Sequence, residues 1–489
     1  MNFPILSYMV FIPLLGMVVV LLLRKEQVQA IRFAAALFSF IPLILSFFLV
    51  ANYNSSTSVM QFVEKFNWIP SLGVTYHLGA DGLSVPMLFL TALLSFLSII
   101  ASFNINFRVK EYFAFFLLLE VGMMGVFAAL DFFLFYIFWE IMLVPMYFLI
   151  GIWGGPRKEY AAIKFFLYTL FGSVFMLIGI LALYFTSQPH TLNMMELIAR
   201  APLLGRGFQL VVFVAFFLAF AIKVPIFPFH TWLPDAHVEA PTAVSVILAG
   251  ILLKMGTYGL LRVSLPMFPQ AAVYYAFPLA ILALINIVYG ALVCMAQKDL
   301  KKLVAYSSVS HMGYCILGIS ALTVTGVSGG VFQMFSHGLI TGALFLLVGV
   351  LYDRAHTRDI DAFGGLWIKI PVYSGVMILF CMGSLGLPGL SGFVSEFMVF
   401  IGAFPVFKVI VAFAVLGVVL TAAYFLRMIQ KMFLGTFNTK WEAITEINSR
   451  ELFTVIPLAI LMIGVGVYPS PLVNIMRATL ENIIHLVSG

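Results

Sequence analysis

Apolar runs of about 20 residues, separated by short polar breaks, divide the whole sequence and fix its class of fold. A helix needs roughly 20 apolar residues to cross the hydrocarbon core of a bilayer. With a mean hydropathy of +1.10, a chain of 489 residues has too little polar surface to be a soluble globular protein. We predict an all-α polytopic membrane protein with 14 transmembrane helices, at 5–23, 31–51, 82–103, 112–130, 132–151, 161–185, 208–229, 239–262, 271–293, 300–322, 328–351, 371–403, 405–432 and 451–470.

Lysine and arginine are distributed unevenly over the predicted loops. Loops after odd-numbered spans carry 17 of them, whereas the even loops and the termini carry 6. The positive-inside rule therefore predicts cytoplasmic odd loops, with both termini on the outer side of a bacterial inner membrane. The first apolar run is followed by charges and not preceded by them, which favours a first span over a cleaved signal peptide. Segment 191–200 is too short to span and amphipathic, and we predict that it lies along the interface.

Two stretches combine buried charge with helix-breaking residues. Residues 221–259 contain Lys223, closely followed by Pro225 and Pro228. Residues 383–397 contain Pro388, four glycines and Glu396. In hydrocarbon, a helix tolerates such breaks only where its freed backbone groups find new partners. Interruptions at corresponding places in two halves indicate a transport site at a repeat interface.

The intervals between charged residues support a repeated architecture. Lys223 precedes Lys254 by 31 residues, and Glu396 precedes Arg427 by the same interval. Two five-helix repeats would produce such spacing. The predicted regions are an N-terminal three-helix region at 1–111, a first five-helix repeat at 112–262, a second at 271–432, and a C-terminal helix and tail at 433–489.

Six ionisable side chains lie in separate apolar segments and form the predicted proton-relay residues. They are Glu140, Lys223, Lys254, His311, His337 and Glu396. Burial disfavours the charged forms of carboxylates and lysines, and histidine titrates near neutral pH without any perturbation. An ionisable group inside the membrane is taken as functional by default. Each histidine alone is also consistent with a buried core residue whose hydrogen bonds are satisfied. The set predicts a proton path along the middle of the membrane.

Other polar residues have simpler structural interpretations. Asp81 and Asp131 stand where helix N-caps belong. Lys164 and Arg427 lie near span ends, where a long cationic side chain can reach the interface. Glu120 has no assigned role.

No cofactor or metal site is predicted for this chain. The sequence contains no Walker loop, dinucleotide fingerprint or haem motif, and its three cysteines lack metal-ligand spacing. Four polar residues resemble a metal cluster only superficially, because prolines interrupt them, and we assign them to the outer rim of the site: His230, Asp235, His237 and Glu239. The cations form no basic stripe, which argues against nucleic-acid binding.

Four long segments closely resemble the proton-conducting, antiporter-like membrane subunits of respiratory complex I, and the resemblance covers nearly the whole chain. They are FWEIMLVPMYFLIGIWGG at 138–155, IKVPIFPFHTWLPDAHVEAPTAVSVILAGILLKMGTYGLLR at 222–262, KDLKKLVAYSSVSHMGYCILG at 298–318 and HTRDIDAFGGLW at 356–367. The match is best to the M-type subunits, the counterparts of mitochondrial NADH dehydrogenase subunit 4. The family is similar in turn to subunits of Mrp-type Na⁺/H⁺ antiporters.

The resemblance implies specific structural roles. It implies two inverted five-helix repeats with breaks in the seventh and twelfth helices. Glu140 would pair with Lys223, Lys254 would be the central lysine, and Glu396 would be the terminal proton site. Sister subunits and antiporters usually carry lysine at that last position, so Glu396 favours complex I.

The implied function is proton translocation within NADH-quinone oxidoreductase, without redox chemistry in this chain. FMN, iron–sulfur clusters and quinone are expected in other subunits. The expected partners are other membrane subunits, including neighbouring antiporter-like subunits, and the lipid bilayer. Three alternatives remain: an Mrp-type Na⁺/H⁺ antiporter subunit, the homologous subunit of a photosynthetic NDH complex, and a structural subunit whose charges only hold helices together.

Overall fold

The computed structural model describes residues 3–488, which form a largely helical protein. Within this range, 12 helices are long and apolar enough to cross a membrane. The predicted class, a polytopic helical membrane protein, is confirmed. The count of 14 spans stays a prediction, because the predicted spans at 300–322 and 371–403 are not among these 12 helices. One is a helix rich in serine, and the other is split into two shorter apolar helices.

The helices and strands are labelled in chain order. The helices of the first half are α1 (Ile5–Leu22), α2 (Val28–Asn52), α3 (Ser84–Ala101), α4 (Val109–Ala128), α5 (Phe132–Ile141), α6 (Leu143–Trp153), α7 (Lys158–Thr186), α8 (Met194–Arg200), α9 (Arg206–Lys223), α10 (Trp232–Glu239), α11 (Thr242–Ile247), α12 (Leu253–Gly259) and α13 (Leu265–Met267). Those of the second half are α14 (Pro269–Met295), α15 (Leu300–Ser320), α16 (Val324–Ala355), α17 (Pro371–Ser384), α18 (Ser391–Ala403), α19 (Lys408–Met432), α20 (Ser449–Val467) and α21 (Ser470–Ser488). Two strands, β1 (Gln61–Ile69) and β2 (Val74–Ala80), form an antiparallel pair.

The hairpin between α2 and α3 is absent from the sequence prediction. Its second strand is largely buried, and Leu78 forms a bridge with Ala129 just before α5. The Thr75 amide donates to Oδ2 of Asp131 at 3.0 Å. The hairpin therefore joins the beginnings of two distant helices. The alternation of polar and apolar residues in its strands is too short to be recognised in the sequence beside the longer apolar runs.

The predicted N-cap Asp131 is confirmed, whereas the N-cap of α3 is Leu83, two residues after the predicted Asp81. Oδ1 of Asp131 accepts a hydrogen bond from the Phe133 amide at 2.9 Å. Oδ1 of Asp81 accepts one from the Ser84 amide at 3.1 Å, where α3 begins. Asp81 has a second role, because the guanidinium of Arg262 lies 2.5 Å from the same oxygen in a buried ion pair. This pair joins α3 to the end of the predicted eighth span.

The predicted break in the seventh span follows Lys223, the last residue of α9. The side chain of Asn286, on α14, satisfies the interrupted backbone: its Nδ2 donates to the Pro225 carbonyl at 3.1 Å, and its Oδ1 accepts from the Phe227 amide at 2.8 Å. Such compensation is what allows a helix to break at membrane depth. The helix resumes at Trp232 as α10.

The predicted break in the twelfth span lies between α17 and α18. Gly386 and Gly389 adopt positive φ angles of 82° and 93°, which side chains with a Cβ rarely adopt. The eighth span is irregular without being broken, because π-helical segments at 248–252 and 260–264 flank α12. Both irregular regions carry predicted relay residues.

Burial is concentrated in two spans at the centre of the molecule. Residues 242–267 and 324–355 are completely buried in their most apolar windows, whereas α1, α2, α7 and α19 are 39% buried in theirs. A span that is buried all round can carry polar groups without exposing them to lipid. Lys254 and His337 lie on these two central spans.

The chain ends in an amphipathic helix, α21, that the sequence analysis grouped with the tail. Its apolar side is buried, and Oγ1 of Thr479 accepts a hydrogen bond from the Gly82 amide at 3.0 Å. A Cβ on Gly82 would lie 2.1 Å from the Ile475 carbonyl oxygen, so only glycine fits this contact. The predicted interfacial segment contains the short helix α8, capped by the Asn193 side chain.

Candidate functional site

Four of the six predicted relay residues form one line, which runs from Lys254 in the first half of the fold to His337, His311 and Glu396 in the second half. Nζ of Lys254 lies 2.6 Å from Nδ1 of His337. The ring centroids of His337 and His311 are 5.7 Å apart, and Nδ1 of His311 lies 3.2 Å from Oε1 of Glu396. All four side chains are buried. The line therefore crosses four helical elements through contacts between ionisable groups.

Lys254 is positioned by the irregular backbone around it. It follows the π-helical segment 248–252, where the backbone hydrogen bonds depart from the α-helical pattern. The carbonyl of Ala249 accepts a second hydrogen bond from Nζ of Lys254. The amino group thus has two acceptors, His337 and a carbonyl of its own span, and neither is an anion. Its proton is held by neutral partners, an arrangement that allows the proton to be given up.

His311 joins the two pieces of the broken helix. Its Nε2 lies 3.0 Å from Oγ of Ser384, the last residue of α17, and its Nδ1 faces Glu396 on α18. One imidazole therefore contacts both sides of the break. Any movement of α18 relative to α17 would change the geometry of the His311–Glu396 pair directly.

A small cavity lies between the two histidines and the carboxylate. Its polar lining residues are His311, Gln333, His337, Thr341, Ser384 and Glu396. Nε2 of His337 and Oγ1 of Thr341 are buried without a hydrogen-bond partner from the protein. Buried polar groups of this kind are normally satisfied by ordered water. The cavity is therefore suited to water that bridges the gap between the imidazoles.

The other two relay residues, Glu140 and Lys223, are held differently. Nζ of Lys223 lies 5.2 Å from the ring centroid of Trp139 and 5.8 Å from that of Phe165. These aromatic faces stabilise an ammonium group by cation–π attraction. No ion pair within 4.0 Å joins Lys223 to Glu140 in the described part of the chain, and Oε1 of Glu140 is buried without a hydrogen-bond partner. The direct pairing that the family resemblance implies is absent from this conformation.

His237 and Lys301 are buried polar residues that the sequence analysis did not include among the proton-relay residues. His237 is fully buried, and its ring stacks on Phe345 with centroids 4.4 Å apart. Neither of its ring nitrogens has a hydrogen-bond partner. Nζ of Lys301 is buried and donates to the Ala240 carbonyl at 2.6 Å. His237 lies within electrostatic range of both Lys301 and Lys254.

An open cavity of about 310 Å³ reaches Lys301 from the membrane face that is rich in lysine and arginine. Its charged lining residues are Glu239, Lys301, Asp353, Arg358, Arg450 and Glu451. It places polar groups beside Lys301.

The four polar residues assigned to the rim fall into two groups. Asp235 pairs with Lys164 at 2.8 Å, and Glu239 lies 3.7 Å from the guanidinium of Arg157. His230 is buried against Phe227 and Tyr289. His237 is likewise buried, against Phe345, and the interpretation of the four residues as the rim of the site stays a prediction. The position of His237 beside the broken helix indicates a place near the site, since such helices surround transport sites.

Glu120 is also more deeply placed than its sequence context indicates. It lies on α4, is completely buried, and neither carboxylate oxygen has a hydrogen-bond partner. Lys301 was counted among the loop cations because it lies beside Lys302 near the start of a span. In both cases the neighbours in sequence are uninformative about tertiary burial.

Comparisons with known proteins agree with this arrangement. The family described as "NADH:quinone oxidoreductase/Mrp antiporter, TM" matches residues 129–421. NADH-quinone oxidoreductase subunit M of Rickettsia prowazekii is 42% identical over 492 residues, with 99% of each chain covered. The Rhodobacter capsulatus subunit M is 44% identical, with 98% of this chain and 96% of that protein covered.

Among solved structures, a chain of respiratory complex I from Thermus thermophilus superimposes with a TM-score of 0.90. It is 31% identical, and the match covers 100% of both chains. The resemblance to the M-type subunits of complex I, drawn from four sequence segments, is confirmed. This chain belongs to the family of transmembrane subunits of NADH:quinone oxidoreductases and Mrp antiporters.

Proposed function

We propose that this chain is a proton-translocating membrane subunit of an NADH-quinone oxidoreductase. The observation that carries the proposal is the line from Lys254 through His337 and His311 to Glu396. Adjacent ionisable groups approach to 2.6 Å and 3.2 Å at its two ends, and a polar cavity lies in the middle. Relatives named as subunit M of this oxidoreductase, 42% and 44% identical, support the assignment.

Each step along the line moves one proton and leaves the next group ready to receive it. Lys254 donates a proton to Nδ1 of His337 and becomes a neutral amine. His337 releases the proton on its other ring nitrogen, Nε2, which is otherwise unpartnered. Water in the cavity carries the proton to His311, and Nδ1 of His311 delivers it to Glu396. The imidazoles thus act as conductors, since each accepts at one nitrogen and donates from the other.

Glu140 and Lys223 act as the control element in this mechanism. Since a nearby carboxylate stabilises an ammonium group, an approach of Glu140 would hold the proton on Lys223, and a retreat would release it toward Lys254. Moving one charge against 100 mV costs about 2.3 kcal/mol. Breaking one ion pair in a low-dielectric site is worth as much or more. The observed arrangement, with Lys223 between aromatic rings, represents the separated state of the pair.

Lys254 is reloaded through His237 and Lys301. The open cavity beside Lys301 supplies protons from the aqueous phase, and His237, within electrostatic range of both lysines, passes them to Lys254. The positive-inside count assigns this cavity to the cytoplasmic side and both chain termini to the periplasmic side of the inner membrane.

Other subunits supply the rest of the enzyme. FMN, the iron–sulfur clusters and the quinone belong to them, and this chain couples quinone reduction to proton movement through its contacts with neighbouring antiporter-like subunits. The M-type subunits of photosynthetic NDH complexes would differ only in the electron donor.

The proposal is tested with Glu396→Gln in the assembled complex. This change keeps the side-chain shape and removes the titrating group, so proton pumping per NADH oxidised is expected to fall with assembly intact. Glu442→Gln, which alters an exposed ion pair with Lys369, is the matched control. Full pumping by Glu396→Gln would refute the role of the line.

A Na⁺/H⁺ antiporter is the second candidate, because the matching family includes Mrp subunits and because both helix breaks are present. It predicts sodium-dependent proton exchange in vesicles without NADH. A purely structural subunit predicts that neutral substitutions along the line impair assembly and leave the turnover of assembled complexes unchanged.

A further inference from the structure

A second cavity lies on the lysine- and arginine-rich membrane face, away from the proton line. It opens between the C-terminal ends of α14 and α19, has a volume of about 200 Å³, and is bordered by the loop after α16. Its charged lining residues are Lys298, Asp361, Arg427 and Lys431. The proposed proton mechanism uses none of them.

Three cations in this cavity share one carboxylate. Lys431 forms an ion pair with Asp361. The pKa of Asp361 lies below its usual range because Lys431 donates a hydrogen bond to it, and Lys298 and Arg427 add to the attraction. Lys298 and Arg427 form no ion pair of their own within residues 3–488. The cavity therefore keeps an excess of positive charge.

Arg427 is oriented by the protein and not simply extended toward water. Its Nη1 donates to the Met295 carbonyl at 3.2 Å, at the end of α14. Reaching for the interface explains one exposed cation at a span end. It does not explain why cations from α19 and from the loop after α14 line the same cavity. The one acidic residue there, Asp361, does not balance their charge.

An exposed apolar surface on α14 and α19 lies next to the cations of this cavity. Leu416, Leu420 and Ala423 precede Arg427 on the same face of α19, at the spacing of successive helical turns. Leu416 is 51% exposed, and on α14 Leu292 is 53% exposed one turn before Met295. A ligand with an anionic head and apolar chains complements this sequence of cations and apolar side chains.

We propose that this cavity binds the phosphate headgroup of an anionic phospholipid, whose acyl chains lie along α14 and α19. Basic pockets between transmembrane helices at the cytoplasmic face are suited to such headgroups. A free phosphate ion would use the cations but not the apolar surface below them. An acidic segment of a partner protein would not need that surface either.

The test uses the assembled complex in lipid nanodiscs that contain phosphatidylcholine and a small fraction of photoreactive phosphatidylglycerol. The double variant Lys298→Gln/Arg427→Gln is compared with Arg24→Gln/Lys25→Gln, which removes two exposed charges from the same membrane face outside the cavity. Each cation near the surface contributes about 1 kcal/mol to such binding, so two correspond to about 30-fold weaker labelling. The label is expected on 294–298 and 424–431 in the native protein and in the control variant.

Three results would overturn the proposal. The first is equal labelling of the cavity variant and the control. The second is loss of labelling on addition of inorganic phosphate at the lipid's concentration, which would assign the site to a free anion. The third is protection of both segments by a neighbouring subunit in the assembled complex, which would assign it to a protein partner. Proton pumping by the double variant in phosphatidylcholine alone is expected to equal that of the native complex, which separates this site from the proton line.

Discussion

Two regions of the molecule hold their buried charges in different ways. Lys254, near the end of the first half, forms a nearly continuous line of polar contacts with His337, His311 and Glu396 of the second half. In the first half, Lys223 is enclosed by aromatic rings, and the Glu140 carboxylate has an oxygen without any partner.

This difference separates two physical tasks. A line of directly contacting groups transfers protons, because each transfer needs a donor and acceptor within hydrogen-bond reach. Two charges that do not touch affect each other through the electric field, which changes steeply with distance at low dielectric constant. The region of Glu140 and Lys223 is therefore suited to switching, and the line from Lys254 to Glu396 is suited to conduction.

The largest effect is expected from Lys254→Met, which removes the beginning of the conducting line. Methionine keeps a similar volume but cannot donate a proton, so pumping by the assembled complex should fall about 100-fold. Proton uptake in vesicles, normalised to assembled complex, measures this, with the exposed Lys408→Met as control. Residual pumping above one tenth would show that protons bypass the line.

Glu140→Gln should have a smaller effect, since Glu140 acts on Lys223 through its field and not through contact. We expect about tenfold slower pumping, the equivalent of about 1.4 kcal/mol. Pumping rates at several membrane potentials check this. An effect as large as that of Lys254→Met would place Glu140 in the conducting path and remove the distinction between the two regions.

The smallest effect is expected from Ser384→Ala, which removes one hydrogen bond to His311 and leaves the His311–Glu396 contact. A neutral hydrogen bond contributes about 1 kcal/mol, so pumping should fall about threefold to fivefold. Ser374→Ala, on the same helix α17 and bonded only to its own backbone, is the control. A complete loss would mean that the serine hydroxyl itself carries the proton.

Much of the site was predictable because a charged residue within an apolar run is rare and is easily recognised in the sequence. Lys254 and Glu396 stand out in sequence, and so do the prolines and glycines that break the helices beside them. The cap at Asp131 was predictable from an equally local pattern.

Tertiary features could not be predicted in this way. The buried ion pair of Asp81 with Arg262 joins residues far apart in sequence, and no local sequence pattern predicts it. Asn286 lies in an ordinary apolar span, yet its amide satisfies the broken seventh helix. The absence of contact between Glu140 and Lys223 depends on distances, about which residue types say nothing.

The π-helical segment at 248–252 has a consequence for insertions and deletions. A π-helical turn accommodates one residue more than an α-helical turn. Deleting one residue there would convert the π-helical turn into an α-helical turn and shorten the span by only about 1.5 Å, so the segments on either side would keep their orientation. The Ala249 carbonyl would then join the α-helical hydrogen-bond pattern and leave the lysine, although the span would remain long enough to cross the bilayer. At this point the number of residues in the helix, and not its hydrophobicity, decides what the lysine contacts.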